Sequence, residues 1–274
     1  MAQLTETYRN RFGGIARLYG QEALEHLACA HMVVIGLGGV GSWAAEALAR
    51  SGVGHLTLIE LDDICVTNTN RQLHAMTSSV GQQKNAALSA RLRDINPDII
   101  LHSVEDFLSV ANIAKLIGPE HQVILDAIDS PHVKAPLAAF CRKLKKRLIM
   151  AGSSGGKKDP SKLQVADLGR TTADPMLAKV RTILHRDFNF ARNKNRKFRI
   201  DVVFSSENIV YPQADGSVCA NKQGLQDGAK LDCAGGFGSA TMVTGSFGFM
   251  MAARAIERYL QDCVLKQDQA IKAD

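Results

Sequence analysis

The run Met32-Val33-Val34-Ile35-Gly36-Leu37-Gly38-Gly39-Val40-Gly41-Ser42 constrains the chain more than any other segment. A short apolar stretch without polar alternation is a strand buried on both faces, and the Ala-rich residues 42–50 that follow read as a helix. A strand, a glycine-rich turn and a helix in that order make a phosphate-binding turn. Gly36 permits the tight bend, Gly38 lets backbone approach a phosphate, Gly41 lets helix and strand pack closely, and the helix N-terminus offers unpaired N–H groups to an anion. Glu60 follows the next apolar run, Leu56-Thr57-Leu58-Ile59, where an acid accepts hydrogen bonds from ribose hydroxyls. To this point a dinucleotide and an adenosine triphosphate fit equally well.

The rest of the first half repeats the alternation. Strand-like runs at 99–103, 123–125 and 147–151 are interleaved with helical stretches at 82–95, 110–117 and 133–144. Right-handed βαβ units at this spacing predict an α/β fold, a doubly wound, mostly parallel Rossmann-like sheet with helices on both faces. Residues 163–166 and 199–204 read as further strands, 212–228 as a long exposed loop rich in Gly, Asp, Asn and Gln, and 266–274 as a frayed polar tail.

Charge and cysteine usage narrow the function classes. The net charge of +6 is uneven: 181–199 carries seven Lys or Arg against Asp187 alone, and Arg142, Lys143, Lys145, Lys146 and Arg147 form a second cluster. Such surfaces attract polyanions, although either cluster could also be a solvated face. Cys29, Cys65, Cys141, Cys219, Cys233 and Cys263 are scattered with no CxxC pair, and residues 1–11 are polar, so a reducing cytoplasm is expected rather than a disulfide framework or a zinc ribbon. Residues 234–253 are uncharged for long enough to span a bilayer, but five Gly and four Ser or Thr dilute them, and a buried helix is expected.

Three downstream segments favour ATP over NAD. They are Asp62-Asp63-Ile64-Cys65-Val66-Thr67-Asn68-Thr69-Asn70-Arg71-Gln72, Gly81-Gln82-Gln83-Lys84 at a helix start, and Asp126-Ala127-Ile128-Asp129 after a strand. Cleaving a triphosphate develops charge on the departing pyrophosphate, and Arg, Lys and a carboxylate-held Mg²⁺ are the usual counter-charges. Arg71, Lys84 and Asp129 have that chemistry, though singly they read equally well as a surface cation, an ordinary first-turn lysine and a helix cap.

The glycine turn with these three segments resembles the ubiquitin-activating-enzyme-like superfamily, whose bacterial members adenylate sulfur-carrier proteins. Those activators usually carry two CxxC pairs, absent here. The further stretches Arg11-Phe12-Gly13-Gly14, Val210-Tyr211-Pro212-Gln213 and Asp232-Cys233-Ala234-Gly235-Gly236-Phe237-Gly238 resemble the branch of tRNA threonylcarbamoyladenosine dehydratases, nearly end to end. The resemblance implies a single adenylation domain over 1–274: an N-terminal helical arm at 1–30, a nucleotide-binding half at 31–152, and a substrate and dimer half at 153–274 with a crossover loop near 205–232. It implies that Gly36, Gly38, Gly39 and Gly41 lie against ATP and that Glu60, with Asp62 nearby, holds the ribose. Asn68, Arg71, Gln72 and Lys84 would lie at the nucleotide phosphates, and Asp129 would bind Mg²⁺. Arg11 would reach the triphosphate of a neighbouring subunit in a homodimer. Arg11, Arg71, Lys84 and Asp129 are then the catalytic set, tRNA rather than DNA is the nucleic-acid partner, and a cysteine desulfurase or sulfur-acceptor partner is implied. The two basic clusters, with Arg192, Lys194 and Arg196 foremost, are candidates for tRNA phosphates. Adenylation of a sulfur-carrier protein is the alternative. Cys219, in the long loop, reads as structural rather than as a thioester carrier, because ring closure within one group needs no thioester.

Overall fold

The computed structural model describes residues 4–193, 196–213, 215–220 and 237–271. Helices α1 (Glu6–Tyr19) and α2 (Gln21–Cys29) lead into strand β1 (His31–Ile35). There follow α3 (Gly41–Arg50), β2 (His55–Ile59), α4 (Lys84–Ile95), β3 (Ile100–Val104), α5 (Ile113–Leu116), β4 (Val123–Asp126), α6 (Pro131–Lys143) and β5 (Arg147–Ala151). The second half contributes β6 (Leu163–Asp167), α7 (Pro175–Asp187), β7 (Asp201–Ser205), a small hairpin of β8 (Tyr211–Pro212) and β9 (Val218–Cys219), and the long α8 (Thr241–Ile271).

The sheet order is β3-β2-β1-β4-β5-β7-β6. Every pairing is parallel except that of β6 with β7. This is the expected doubly wound, mostly parallel α/β sheet with an antiparallel extension. Strand order reverses between β1 and β4, so a crevice opens at their C-terminal ends, where ligands bind in such sheets. The strands flanking the crevice are apolar on both faces, and two cores separate accordingly. One, under α3 and α8, holds Val34, Leu48, Leu58, Leu125, Phe247 and Met251. The other, under α6 and α7, holds Val33, Ile124, Leu137, Met150, Leu177 and Phe204.

The uncharged stretch is explained by helix packing. Val243, Phe247, Met251, Ala255 and Ile256 recur at helical spacing and are buried against the sheet. Gly248 meets α3 so closely that a Cβ there would lie 2.6 Å from the Val40 carbonyl oxygen. Among the described residues, no helix is long and apolar enough to cross a membrane.

Several expectations need correction. The helix read at 110–117 is the single turn Ile113–Leu116, because Asn112 bonds back to Ser109 and Phe107 and holds the preceding residues in a turn. The tail read as frayed is helical to Ile271; Gln267 bonds Glu22 on α2 and continues the helix beyond the core. The loop at 212–228 begins with the β8–β9 hairpin; residues 221–236, including Asp232 and Cys233, lie outside the described residues, as does Lys194. The cluster at 142–147 is largely spent within the fold. Arg142 stacks 4.2 Å over the Phe190 ring, Lys146 donates to the carbonyls of Gly118 and His121, and Arg147 pairs with Asp262.

Candidate active site

The loop from Gly36 to Val40 leaves β1 at the crevice. Gly36 is left-handed, with φ +82°, and a Cβ there would sit 3.1 Å from the Ala127 carbonyl oxygen. At Gly41 the obstacle is absolute: a Cβ would lie 1.8 Å from the Gly36 carbonyl oxygen. Gly39 is wedged between Arg71 Cγ at 3.1 Å and Thr244 Cβ at 3.3 Å. Gly38 alone faces open space, its nearest neighbour being Gln72 Nε2 at 3.9 Å. The amides of Gly38, Gly39, Val40 and Gly41 have no hydrogen-bond partner among the described residues. With the first turn of α3 behind them, they form an anion cradle at a helix N-terminus.

Glu60 closes this loop from the neighbouring strand. One carboxylate oxygen accepts from the Leu37 amide at 2.9 Å, and the other accepts from the Leu61 and Asp62 amides at 3.0 and 3.1 Å. Its immediate work is to tie the glycine loop to β2, which the ribose expectation did not include. Lys84, the first residue of α4, is buried with its ammonium 2.7 Å from Asp62 and 3.8 Å from Glu60. Asp62 is about half exposed and Glu60 is buried, so Asp62 carries the acid face open to a ligand.

Residues 65–72 wrap the other side of the loop. Asn68 caps its own turn, its side-chain oxygen accepting from the Cys65 amide at 3.0 Å. Arg71 packs its stem on Gly39 and donates Nη1 to Thr67 and Asn70, while Trp43 Nε1 and Thr244 Oγ1 donate to its carbonyl. Among the described residues, the side-chain oxygen of buried Gln72 and both ring nitrogens of buried His74 have no hydrogen-bond partner. Burial, and then the nearby Lys84 ammonium, push His74 down to about 4.

Asp129 is exposed at the mouth of the crevice, between β4 and α6. Beneath it is a pair that sequence reasoning missed. Lys134 and Asp126 are both fully buried, with the ammonium 3.0 Å from the carboxylate. Asp126 also accepts from the Ile128 amide, fixing the turn that presents Asp129, and its second oxygen has no partner among the described residues. Burial pushes the Asp126 carboxyl up, against the pull of Lys134. The available signal was Lys134 itself, a lysine in the first turn of a helix that follows an otherwise apolar strand ending in Asp126. His74 and Thr244 carried no comparable signal. Arg11 is not brought to this crevice: it bonds the Ile95 carbonyl at the end of α4, at the opposite end of the strands.

The sequence profile of the ThiF family matches residues 12–271. The chain belongs to the ThiF family. Within this family it is 48% identical over 257 residues to the tRNA threonylcarbamoyladenosine dehydratase of Escherichia coli (strain K12), covering 94% of this chain and 96% of that protein. The enzyme of the same name from Haemophilus influenzae is 46% identical, with 93% and 95% covered. The Escherichia coli dehydratase in complex with ATP superposes with a TM-score of 0.85 at 43% identity, covering 96% of this chain and 99% of that one. This ThiF-family chain therefore resembles the dehydratases across both halves of its fold, including the antiparallel extension and α8.

Proposed function

We propose that the chain adenylates the carboxylate of threonylcarbamoyladenosine at position 37 of tRNA and closes it to a ring with loss of water. The observation that carries this reading is the cradle at Gly38. It is the open point of an otherwise close-packed loop, is flanked by unbonded amides, and lies in a chain related along nearly its whole length to a dehydratase solved with ATP. The phosphates of ATP lie against Gly38 and Gly39, the ribose faces Glu60 and Asp62, and Arg71, Gln72 and Lys84 border the β- and γ-phosphates. Lys84 reaches them from its pairing with Asp62, so nucleotide entry exchanges one anion for another around a buried ammonium. Asp129, exposed and without a hydrogen-bond partner among the described residues, would hold Mg²⁺, which supplies positive charge for the departing pyrophosphate.

The chemistry has two steps. A carboxylate oxygen attacks the α-phosphorus and pyrophosphate leaves, so an oxide that could not depart becomes AMP, which can. A nucleophile of the adjacent carbamoyl group then attacks the acyl carbon and expels AMP. The second step is fast because both reacting groups belong to one small substituent.

A homodimer completes the site in this reading. Arg11 cannot serve its own crevice from the far end of the sheet, and a partner copy would place it at the other subunit's triphosphate. The exposed side chains of Met242 and Phe249 on α8, with Trp43 edge-to-face on Phe249, give a surface for that contact.

The test is mass spectrometry of tRNA nucleosides after incubation with the chain, ATP and magnesium. The modified adenosine should lose about 18 mass units, the one water that acyl condensation removes. Pyrophosphate release driven by a small protein ending in Gly-Gly, with the nucleoside unchanged, would instead establish sulfur-carrier adenylation.

A further inference from the structure

Opposite the nucleotide crevice, at the N-terminal ends of β5 and β7 and the adjoining C-terminal end of β6, lies a cavity of about 520 Å³. It is lined by six cationic side chains, Arg147, Arg170, Lys197, Arg199, Arg254 and Arg258, and two acids, Asp167 and Asp201. The cations fall into two groups. Arg254 and Arg258 both fork onto Asp201, with four contacts of 2.6–3.2 Å, and Arg147 grips Asp262. These form the fixed floor. Burial raises the Asp201 carboxyl, but the two guanidinium forks outweigh it and hold it below the usual range, so this acid stays ionised and its neutralisation is complete.

Arg170, Lys197 and Arg199 form the other wall. They are exposed, and none has a side-chain hydrogen-bond or ionic partner among the described residues. Asp167 makes no ion pair with them: its carboxylate accepts instead from three backbone amides, of Gly169, Phe198 and Arg199, at 2.7–2.9 Å. That clamp holds Arg199 at φ +61°, a left-handed conformation rare for a residue with a long side chain. Asp167 thus spends a carboxylate and some backbone strain to present unpaired cations over an already neutralised floor. The rest of the described lining is aliphatic, Leu148, Ile149, Val165 and Ala166, and among the described residues no aromatic ring lines it for a base to stack on. A ligand here would be read by its negative charge.

We propose that this cavity binds a backbone phosphate of the tRNA substrate, with Arg170, Lys197 and Arg199 as its contacts. The proposal rests on the tRNA reading above. The cavity is at least one strand, roughly 17 Å, from the glycine loop, so it does not serve the nucleotide. Both ends of the sheet are then used by one substrate: chemistry at one, register at the other.

The experiment measures binding of threonylcarbamoyladenosine-containing tRNA to the full chain across a salt series. The proteins are the wild type and the triple variant Arg170→Ala, Lys197→Ala, Arg199→Ala. The expected result is a rise in tRNA Kd of about tenfold or more, with the slope of log K against log salt flatter by about one per lost contact. ATP binding and Tm should be unchanged. Because Arg199 sits in a strained turn, Arg199→Gly, which relaxes the backbone and removes the charge, and Arg170→Glu serve as independent folded variants that must also weaken tRNA. An unchanged Kd and slope in folded variants overturns the proposal. So does loss of pyrophosphate binding with tRNA affinity retained, which would make the cavity a site for a free product anion. The two readings fail separately. If wild-type protein binds this tRNA through the cavity but removes no water, the reaction is wrong and the cavity stands. If the triple variant dehydrates with an unchanged KM, the reaction stands and the cavity is wrong.

Discussion

The two ends of the sheet handle charge in opposite ways. At the C-terminal ends of β1, β2 and β4, nearly every charged group is spoken for: Glu60 by three backbone amides, Lys84 by Asp62, and Asp126 by Lys134. What that end leaves open is backbone, the amides around Gly38. At the N-terminal ends of β5 and β7 the amides of Gly169, Phe198 and Arg199 are taken by Asp167, and the spare groups are cationic side chains. The difference teaches what each end can bind. A rigid amide cradle with pre-paired charges recognises one small anion in one pose. Unpaired side chains on a surface attract a polyanion without fixing a sequence.

The sharpest way to break this comparison is at the buried pair. Lys134→Met leaves the Asp126 carboxylate alone in the core, and a loss of about 3–5 kcal/mol in denaturant unfolding is expected. Pairing it with Asp126→Asn should recover much of that loss; a single variant as stable as wild type would mean that the pair is not structural. Next comes Gly41→Ala, whose Cβ would collide with a backbone oxygen, at a cost of about 3 kcal/mol or more. Gly38→Ala has room, so it should leave Tm nearly unchanged while weakening ATP binding at least tenfold. Equal Tm losses from the two variants would contradict the distinct roles given to these glycines.

Histidines sharpen the comparison through pH. His74 at one end of the sheet and His31 at the other are each held down to about 4, chiefly by burial. Around His31, His121, His102 and His55 lower it further, and Glu120 opposes them. Both groups fold neutral, so their contribution is fully present above the ordinary histidine value of 6.5 and is lost as pH falls from there toward 4. For the buried His74 the loss is up to roughly 3 kcal/mol. Thermal melts between pH 7 and 5 should fall less steeply for His74→Asn than for the wild type; parallel curves would show that His74 does not drive acid sensitivity. The smallest effect is expected at Cys219, exposed on β9. Cys219→Ser should keep ring closure within about twofold of wild type, since adjacent groups react without a carrier, and complete loss would establish a thioester step.

How much of this was legible in the sequence follows from what each residue interacts with. The glycine loop, the strand series and the α8 segment are local patterns, set by backbone geometry and apolar spacing, and they were readable as such. The sheet extension was readable too, because β6 and β7 keep strand character. The single turn at α5 was misjudged, because Asn112 bonding decides it rather than propensity. Glu60 was singled out for a ligand, but its bonds to Leu37, Leu61 and Asp62 depend on β1 and β2 lying side by side. The basic cluster at 142–147 misled for the same reason, while Lys197 and Arg199 of the 181–199 cluster stand in the unpaired wall. Arg147 and Lys146 are consumed by partners 115 and 25 residues distant in sequence, whereas Arg170, outside either cluster, joins the unpaired wall. Linear charge density records neither event.

The central claim is that the substrate carboxylate is activated by attack on ATP at the Gly38 cradle. Labelling that carboxylate with oxygen-18 in the modified tRNA tests it most directly, by mass spectrometry of the AMP released in a single turnover. The account requires one labelled oxygen in AMP, carried from carboxylate to phosphorus and retained when the ring closes. Unlabelled AMP, with the label in water or inorganic phosphate, would contradict it.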